Sequence, residues 1–251
     1  MKILSLESST KHFSLAVSRE DCLLASKNIF LKKVLSHSII PGISQVLKKS
    51  NVKFNQLDGF AVGLGPGSFT SLRVGLATVK GIAFASKKPV VGISSLDILA
   101  MNVELSMEFC NAQSRFSPLE KIGGMKADSP AKICTIADAK RNLVYGCLYE
   151  KKRGELKRKS KYMLVGINEW LDQVKGQIFF IGDGIKLYRD TIEHTSKRGT
   201  FTPIFVEEKF WYPQAIQLAL LAFKRFQKGK IDPIDRLVPL YLYPEDCQVR
   251  K

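Results

Sequence analysis

The chain has 251 residues, 45% of them hydrophobic, enough to bury a substantial core in one large domain or two small ones. Its 39 Lys+Arg against 23 Asp+Glu give a formal net charge of +16, which points to an acidic partner or nucleic acid, or else to a lysine-rich solvated surface, and says nothing of fold. Apolar runs such as Ile216 to Phe223 fall far short of the roughly 20 residues of a membrane span, and five scattered cysteines without a CxxC pair fit reduced thiols in a cytoplasm better than a disulfide frame. Met1 to Phe30 predicts a meander of three strands: "ILSL", then "FSLAV" after the polar break Ser8 to Lys11, then "CLLASKNIF" after the turn Arg19 to Asp21. The first apolar block is too short for a signal-peptide core, so it is expected to be a strand. In "SHSIIPGISQVLKKSN", Ile39, Ile40, Ile43, Val46 and Leu47 recur with helical period, and Lys48 and Lys49 suit the negative end of a helix dipole. Pro41 is expected in the first turn, where its missing N–H costs least.

"LDGFAVGLG" predicts a buried strand, Ser68 a cap for a helix to about Ala85, and "PVVGIS" a further strand. A meander followed by alternating strands and helices predicts a mixed α/β sheet. Residues 103 to 130 are rich in Gly, Pro and Ser without a period, so they predict a loop and a boundary between domains 1–102 and 103–251. Beyond it, "AKICTIAD", "NLVYGCLYE" and "ELKRKSKYML" predict strands, "NEWLDQV" a helix and "QIFFIGDG" a strand and turn. Val206 to Glu208 is expected to end one more strand. Pro213 to Phe226 predicts a long helix, expected to pack back on the N-terminal domain, and the tail "VPLYLYPEDCQVRK" is extended.

The glycine turn in "GLGPGSFTSLRVG", Gly63 to Gly75, invites three chemical readings and completes none. A phosphate loop needs GxxxxGK[ST], but Ser68 follows Gly67 and no lysine comes before Lys80. A dinucleotide fingerprint has Gly63 and Gly65 but Ser68 at its third position. A nucleophile elbow lacks its last glycine, because Thr70 stands there. What remains is a helix N-terminus able to take an anion weakly, or a turn that lets strand and helix pack closely. The histidines at 12, 37 and 194 form no metal face, since Pro41 stands four residues after His37. Asp58, Asp97, Asp138 and Asp183 are candidates for strand ends. Asp183 in "IGDG" is expected to have the most accessible carboxylate.

On a helical wheel the segment after Ser68 has a core face of Phe69, Leu72, Leu76, Val79 and Ala83. Opposite lie Thr70, Ser71, Val74, Ala77, Thr78, Gly81, Ile82 and Ala85, small and uncharged, where a surface helix is normally polar. Such a face lets another helix approach closely, whether the chain's own preceding helix or a second protein's. "KKRGELKRKSK" at 151 to 161 is strongly basic and reads as a solvated hairpin or an RNA contact through Lys157, Arg158 and Lys159.

Together these segments resemble the TsaB family, the dimerisation partner of TsaD, which transfers threonylcarbamoyl to the adenosine beside the anticodon of certain tRNAs. "GPGSFTSLRVG" is similar to the family's GPGSFTGLRxG signature with Ser71 replacing a glycine. "ILSLESST" resembles its opening strand and turn, with Glu7 where an aspartate is usual. "HSIIPGISQVL" is similar to the helix that begins HSQ, and "IADAKRNLVY" to the DARRGEVY segment with Asn142 replacing a glycine. "GDG" at 182 to 184 and "VPLYL" at 238 to 242 also match.

The resemblance implies an actin-like (ASKHA, ribonuclease H-like) α/β fold of two related subdomains with mixed sheets. It implies a non-catalytic cytoplasmic subunit with no cofactor and no metal, because Pro41 replaces the second histidine of the catalytic relative's HxxxH. It further implies a TsaD-type partner, a TsaE-type ATPase, tRNA bound through the complex, a homodimer when the chain is alone, and no membrane. The partner interface is expected at Ile39, Ile43, Thr70, Ser71, Val74, Ala77, Thr78 and Gly81. Two readings compete. One is an ATP-using enzyme with a nucleotide site at Glu7, Gly65, Gly67, Ser68 and Asp183. The other is a protein that binds RNA directly.

Overall fold

The computed structural model describes residues 1–32, 34–103, 131–152 and 155–244. The predicted loop and domain boundary at 103–130 lies, from 104 on, outside the described residues. Two compact units form, Met1–Ile98 with Pro213–Tyr241, and Leu99–Tyr212 with Leu242–Lys251.

Unit 1 is built on a five-stranded mixed sheet in the order β3-β2-β1-β4-β5. The meander is β1 (Lys2–Glu7), β2 (His12–Arg19) and β3 (Cys22–Phe30), antiparallel throughout. β4 (Gly59–Gly63) and β5 (Val90–Ile93) then add parallel to β1. Alternation decides the faces. Leu4 and Leu6 of β1 join a core with α1 (Ser36–Ser50) and α2 (Phe69–Ser86), while Ile3 between them points to the other face with Leu218 and Ala222 of the terminal helix. The C-terminal helix α5 (Ala215–Gln227) thus closes the N-terminal sheet. Its first N–H is received by the Ser14 hydroxyl on β2 at 2.8 Å. Pro41 sits at the sixth position of α1 and not in its first turn; the helix accommodates it on its exposed side, without the donor that would bond the His37 carbonyl.

Unit 2 carries a second mixed sheet. β6 (Ala131–Lys140) and β7 (Leu143–Lys152) form its long hairpin. β10 (Gly176–Ile181) runs parallel to β6, and β11 (Phe201–Phe205) lies parallel at the edge, where Pro203 is tolerated. The segment "ELKRKSKYML" is two strands and not one: β8 (Glu155–Arg158) and β9 (Met163–Gly166) pair with opposite ends of β7. Helices α3 (Ile167–Leu171) and α4 (Ile185–Ser196) belong to this unit, as does a helical stretch at 99–103. Gly146 lies under the Trp170 indole, where a Cβ would meet Cε2 at 2.5 Å, so the buried ring can close on the strand. The two α/β units with mixed sheets flanked by helices are the architecture the family resemblance implies. Among the described residues no helix is long and apolar enough to cross a membrane, and Cys22, Cys134 and Cys147 form no disulfide.

Candidate functional site

The glycine turn after β4 is held from three sides. The Ser68 N–H donates to the Ser9 carbonyl at 2.7 Å, Leu64 N–H to Ile93, and Ser95 N–H to Gly65. Gly67 lies so close to the turn after β1 that a Cβ would stand 2.2 Å from the Ser9 oxygen. Gly65 has φ +93°, a region that favours glycine. Glu7, at the end of β1, is wholly buried beneath this turn. Its Oε1 accepts the Ser9 N–H at 2.6 Å and its Oε2 the Ser95 hydroxyl at 2.9 Å. Gly63 leaves the room: a Cβ there would lie 1.9 Å from Oε2. Burial pushes the Glu7 carboxyl above its ordinary value, against the opposing pull of the Ser9 and Ser95 hydrogen bonds. Glu7 and Gly65 are therefore linked, because the Gly65 N–H donates to the same Ser95 Oγ at 3.1 Å. Of the proposed nucleotide residues in this unit, Glu7 and Gly65 are buried, Gly67 is half-buried and Ser68 is exposed. Ser68 stands at the N-cap position, but its hydroxyl turns to Ser71 Oγ at 3.2 Å and caps no backbone amide.

Asp183 lies in unit 2 and is partly buried, less open than its flanking glycines suggested. Those glycines serve another end. A Cβ on Gly182 would meet the Ile136 carbonyl oxygen at 2.2 Å, and one on Gly184 at 2.8 Å, so both let the turn close on β6. Asp183 Oδ1 accepts the Asp138 N–H at 2.9 Å; burial raises its pKa and the nearby Asp138 charge adds to this. Asp138 in turn holds Lys140 in an ion pair. Asn142, where a glycine was expected, has φ +59°, a conformation asparagine tolerates better than most residues. Tyr145, facing Tyr243 edge-on at 6.2 Å, is pushed up to about 12 by burial first and by Tyr243 second. The tyrosines near Asp138 and Asp183 carry no sequence motif that marks them in advance.

Helix α2 buries Leu72, Gly75, Leu76, Val79 and Ala83. Gly75 faces β1, where a Cβ would stand 2.3 Å from Ser8 Oγ. On the predicted small face, Thr70, Ala77, Gly81 and Ala85 are exposed, while Ser71, Val74, Thr78 and Ile82 are half-buried. Val74 and Ile82 pack against the unit's own core. Phe69 does not join the core as predicted. As the first residue of the helix it lies on the surface, its ring 5.3 Å from Tyr241 with the Arg73 guanidinium 3.8 Å above it. Ile39 and Ile43, assigned from sequence to a partner interface, are also placed otherwise. They are 3% and 6% exposed and belong to the core between α1 and the sheet, because β2 and β3 already cover that face. The exposed isoleucine of α1 is Ile40, at 58%. Phe84, at 77%, stands out on α2.

The basic hairpin residues Lys157, Arg158 and Lys159 are exposed on and just after β8. Lys157 pairs with Glu155 and Lys159 with Glu150, and Arg158 stacks on Tyr162 at 4.3 Å. Their charge is largely answered within the hairpin. Among the described residues no group of three or more His, Cys, Asp or Glu is placed to hold a metal ion.

Residues 31–244 match the family model described as TsaD: tRNA N6-adenosine threonylcarbamoyltransferase. The chain is 27% identical to the tRNA threonylcarbamoyladenosine biosynthesis protein TsaB of Bacillus subtilis, across 100% of this chain and 97% of that protein. It is 20% identical to the Escherichia coli protein of the same name, across 96% and 94%. Among solved structures it resembles YeaZ from Pseudomonas aeruginosa, with TM-score 0.72 at 22% identity, over 96% of this chain and 99% of that one.

Proposed function

Because the chain belongs to the TsaB family, within the wider group that the TsaD model describes, we propose that it is the non-catalytic subunit that pairs with a TsaD-type transferase in threonylcarbamoylation of the adenosine beside the tRNA anticodon. The observation that carries this reading is the outer face of α2. Its core face is complete, yet Ala77, Gly81 and Phe84 stand exposed along one side, and a Cβ on Gly81 would meet nothing within 4 Å. Ala77 and Gly81 let a second helix approach at close range, and the exposed Phe84 ring beside them offers it an apolar contact. The buried and doubly bonded Glu7 supports a structural role at the strand ends over a catalytic one. In this reading the chain holds no cofactor, a TsaE-type ATPase joins the same assembly, and the α2 face makes a homodimer when the partner is absent.

Co-purification with a TsaD-type protein tests the pairing. Ala77→Arg places an unpaired charge in the proposed contact, where breaking a buried arrangement costs about 3–5 kcal/mol. It should abolish capture of the partner and leave the melting temperature of the isolated chain near that of the parent, since Ala77 is exposed. Normal capture by the variant puts the interface elsewhere. Robust magnesium-dependent ATP hydrolysis by the pure chain overturns the non-catalytic role.

A further inference from the structure

We propose that the end of unit 1 where the parallel strands begin is a docking surface for the phosphate backbone of RNA. The charge of the chain is unevenly spread. Unit 1 holds 18 Lys+Arg against 7 Asp+Glu, a net +11 of the total +16. The topology then collects much of it. Ile3 pairs with Gly59 and Phe60 with Val90, so β1, β4 and β5 start level. α1 ends at Ser50 and α2 at Ser86, and each feeds one of these starts. The segment after α5 returns to the same place, where Asp232 bridges Val90. The Lys88 ammonium donates to the Asn55 carbonyl at 2.8 Å and draws the loops together.

Six exposed lysines stand on these three connections or on the helix ends that lead into them: Lys48, Lys49, Lys53, Lys87, Lys228 and Lys230. Among the described residues no ion pair engages any of them. The acids of the same end are mostly committed: Glu20 to the N-terminal amine at 3.8 Å, Asp58 to the Lys2 N–H, and Asp232 to Arg225 at 2.9 Å. Asp21 and Asp235 are the exposed exceptions. Cations do favour the C-terminal ends of helices, and that accounts for Lys48 and Lys49. Lys87 and Lys228, the C-cap residues of α2 and α5, are favoured in the same way, but Lys53 and Lys230 lie beyond the helix ends and are not accounted for by it. The contrast with the β7–β8 hairpin is direct, since Lys157 and Lys159 there have carboxylate partners. Phe54, beside Lys53, is 41% exposed among these cations. An aromatic face among unpaired cations suits a nucleic acid, whose phosphates take the charge and whose unstacked bases take the ring.

RNA as the occupant rests on the function proposed above. The test uses the full chain and an unmodified tRNA transcript, with affinity read by fluorescence anisotropy from about 50 to about 200 mM salt. Changing the six lysines to Gln should lower affinity at least about tenfold at the low end and flatten the slope of log K against log salt by at least about 2, given roughly 0.7–0.9 per phosphate contact. Melting the variant alone checks its fold. If it does not fold, the triple sets Lys48, Lys49, Lys53 and Lys87, Lys228, Lys230 are changed separately, each giving about half the effect. Unchanged affinity and slope overturn the proposal, as does a wild-type chain that does not bind tRNA. Binding to phosphatidylserine vesicles instead of tRNA, lost in the variant, reassigns the surface to lipid and overturns it too. A chain that captures a TsaD-type partner but shows no lysine dependence in tRNA binding sinks this proposal alone. A chain that binds tRNA through these lysines but captures no such partner leaves it standing and sinks the pairing.

Discussion

The Ser95 hydroxyl donates to Glu7 Oε2 at 2.9 Å while accepting the Gly65 N–H at 3.1 Å, so one serine ties the buried carboxyl of β1 to the glycine turn that launches α2. Ser95→Ala leaves both partners buried without their hydrogen bonds. It should lower unfolding free energy by about 2–4 kcal/mol, from roughly 1–3 for each stranded group, measured by chemical denaturation. A loss below about 0.5 kcal/mol means that the turn holds itself.

Glu7 also sets a pH dependence of known sign. Burial raises its folded pKa above the ordinary 4.5. Below that value both folded and unfolded chains hold the proton, and the stabilising contribution is fully present. As pH rises the unfolded chain loses its proton first, so the contribution declines through the folded pKa. Relative to Glu7→Gln, wild-type stability should fall by up to about 1.4 kcal/mol per pH unit within that window and run parallel above it. Asp183, raised in the same direction, adds to the slope that remains in the Gln variant, and Asp183→Asn takes its share away. Parallel curves at every pH would show that Glu7 titrates alike in both states.

Much of this architecture is legible in the sequence because its signals are local. The meander of β1, β2 and β3 follows from apolar blocks and polar turns, and α2 from a core stripe behind a glycine turn. The misses have physical causes. Helix α4 buries Ile185, Ile192 and Thr195, but Leu187 at 59% exposure breaks the stripe, so no clean period marks it. Ile39 and Ile43 have the right period for a contact face, yet periodicity cannot say whether a sheet or a partner covers it. The Glu7–Ser95 link joins residues 88 positions apart, and no spacing rule reaches that far.

Two glycines should respond in opposite ways to the same change. Gly182 has φ +126°, and a Cβ there would lie 2.2 Å from the Ile136 carbonyl oxygen, a backbone atom that cannot step aside cheaply. Gly182→Ala should cost more than about 2 kcal/mol. Gly81 lies exposed inside α2 with open space around it. Gly81→Ala should raise the stability of the isolated chain by about 0.5–1 kcal/mol through helix propensity. Thermal melts of the two variants side by side decide the matter, and shifts of the same sign contradict it.

The segment after α5 should act as a strap whose anchor is Leu237 and not Tyr241. Leu237 is 6% exposed, and its Cδ2 fills the space over Gly92, where a Cβ would meet it at 2.7 Å. Around it the Lys80 ammonium donates to the Leu237 carbonyl at 3.0 Å, and the Leu240 N–H to the Leu64 carbonyl at 2.7 Å. Tyr241 is 44% exposed; its hydroxyl accepts from Arg73 Nε at 2.9 Å and its ring meets Phe69. Removing a buried leucine side chain costs about 2–5 kcal/mol, whereas an exposed hydrogen bond contributes at most about 1. Leu237→Ala should therefore destabilise the chain by at least about 2 kcal/mol and speed proteolytic cleavage between Val238 and Tyr243. Tyr241→Phe should change stability by less than about 1 kcal/mol and leave cleavage slow. If Tyr241→Phe frees the segment while Leu237→Ala does not, the surface contact with Arg73 holds the strap and the buried leucine is incidental.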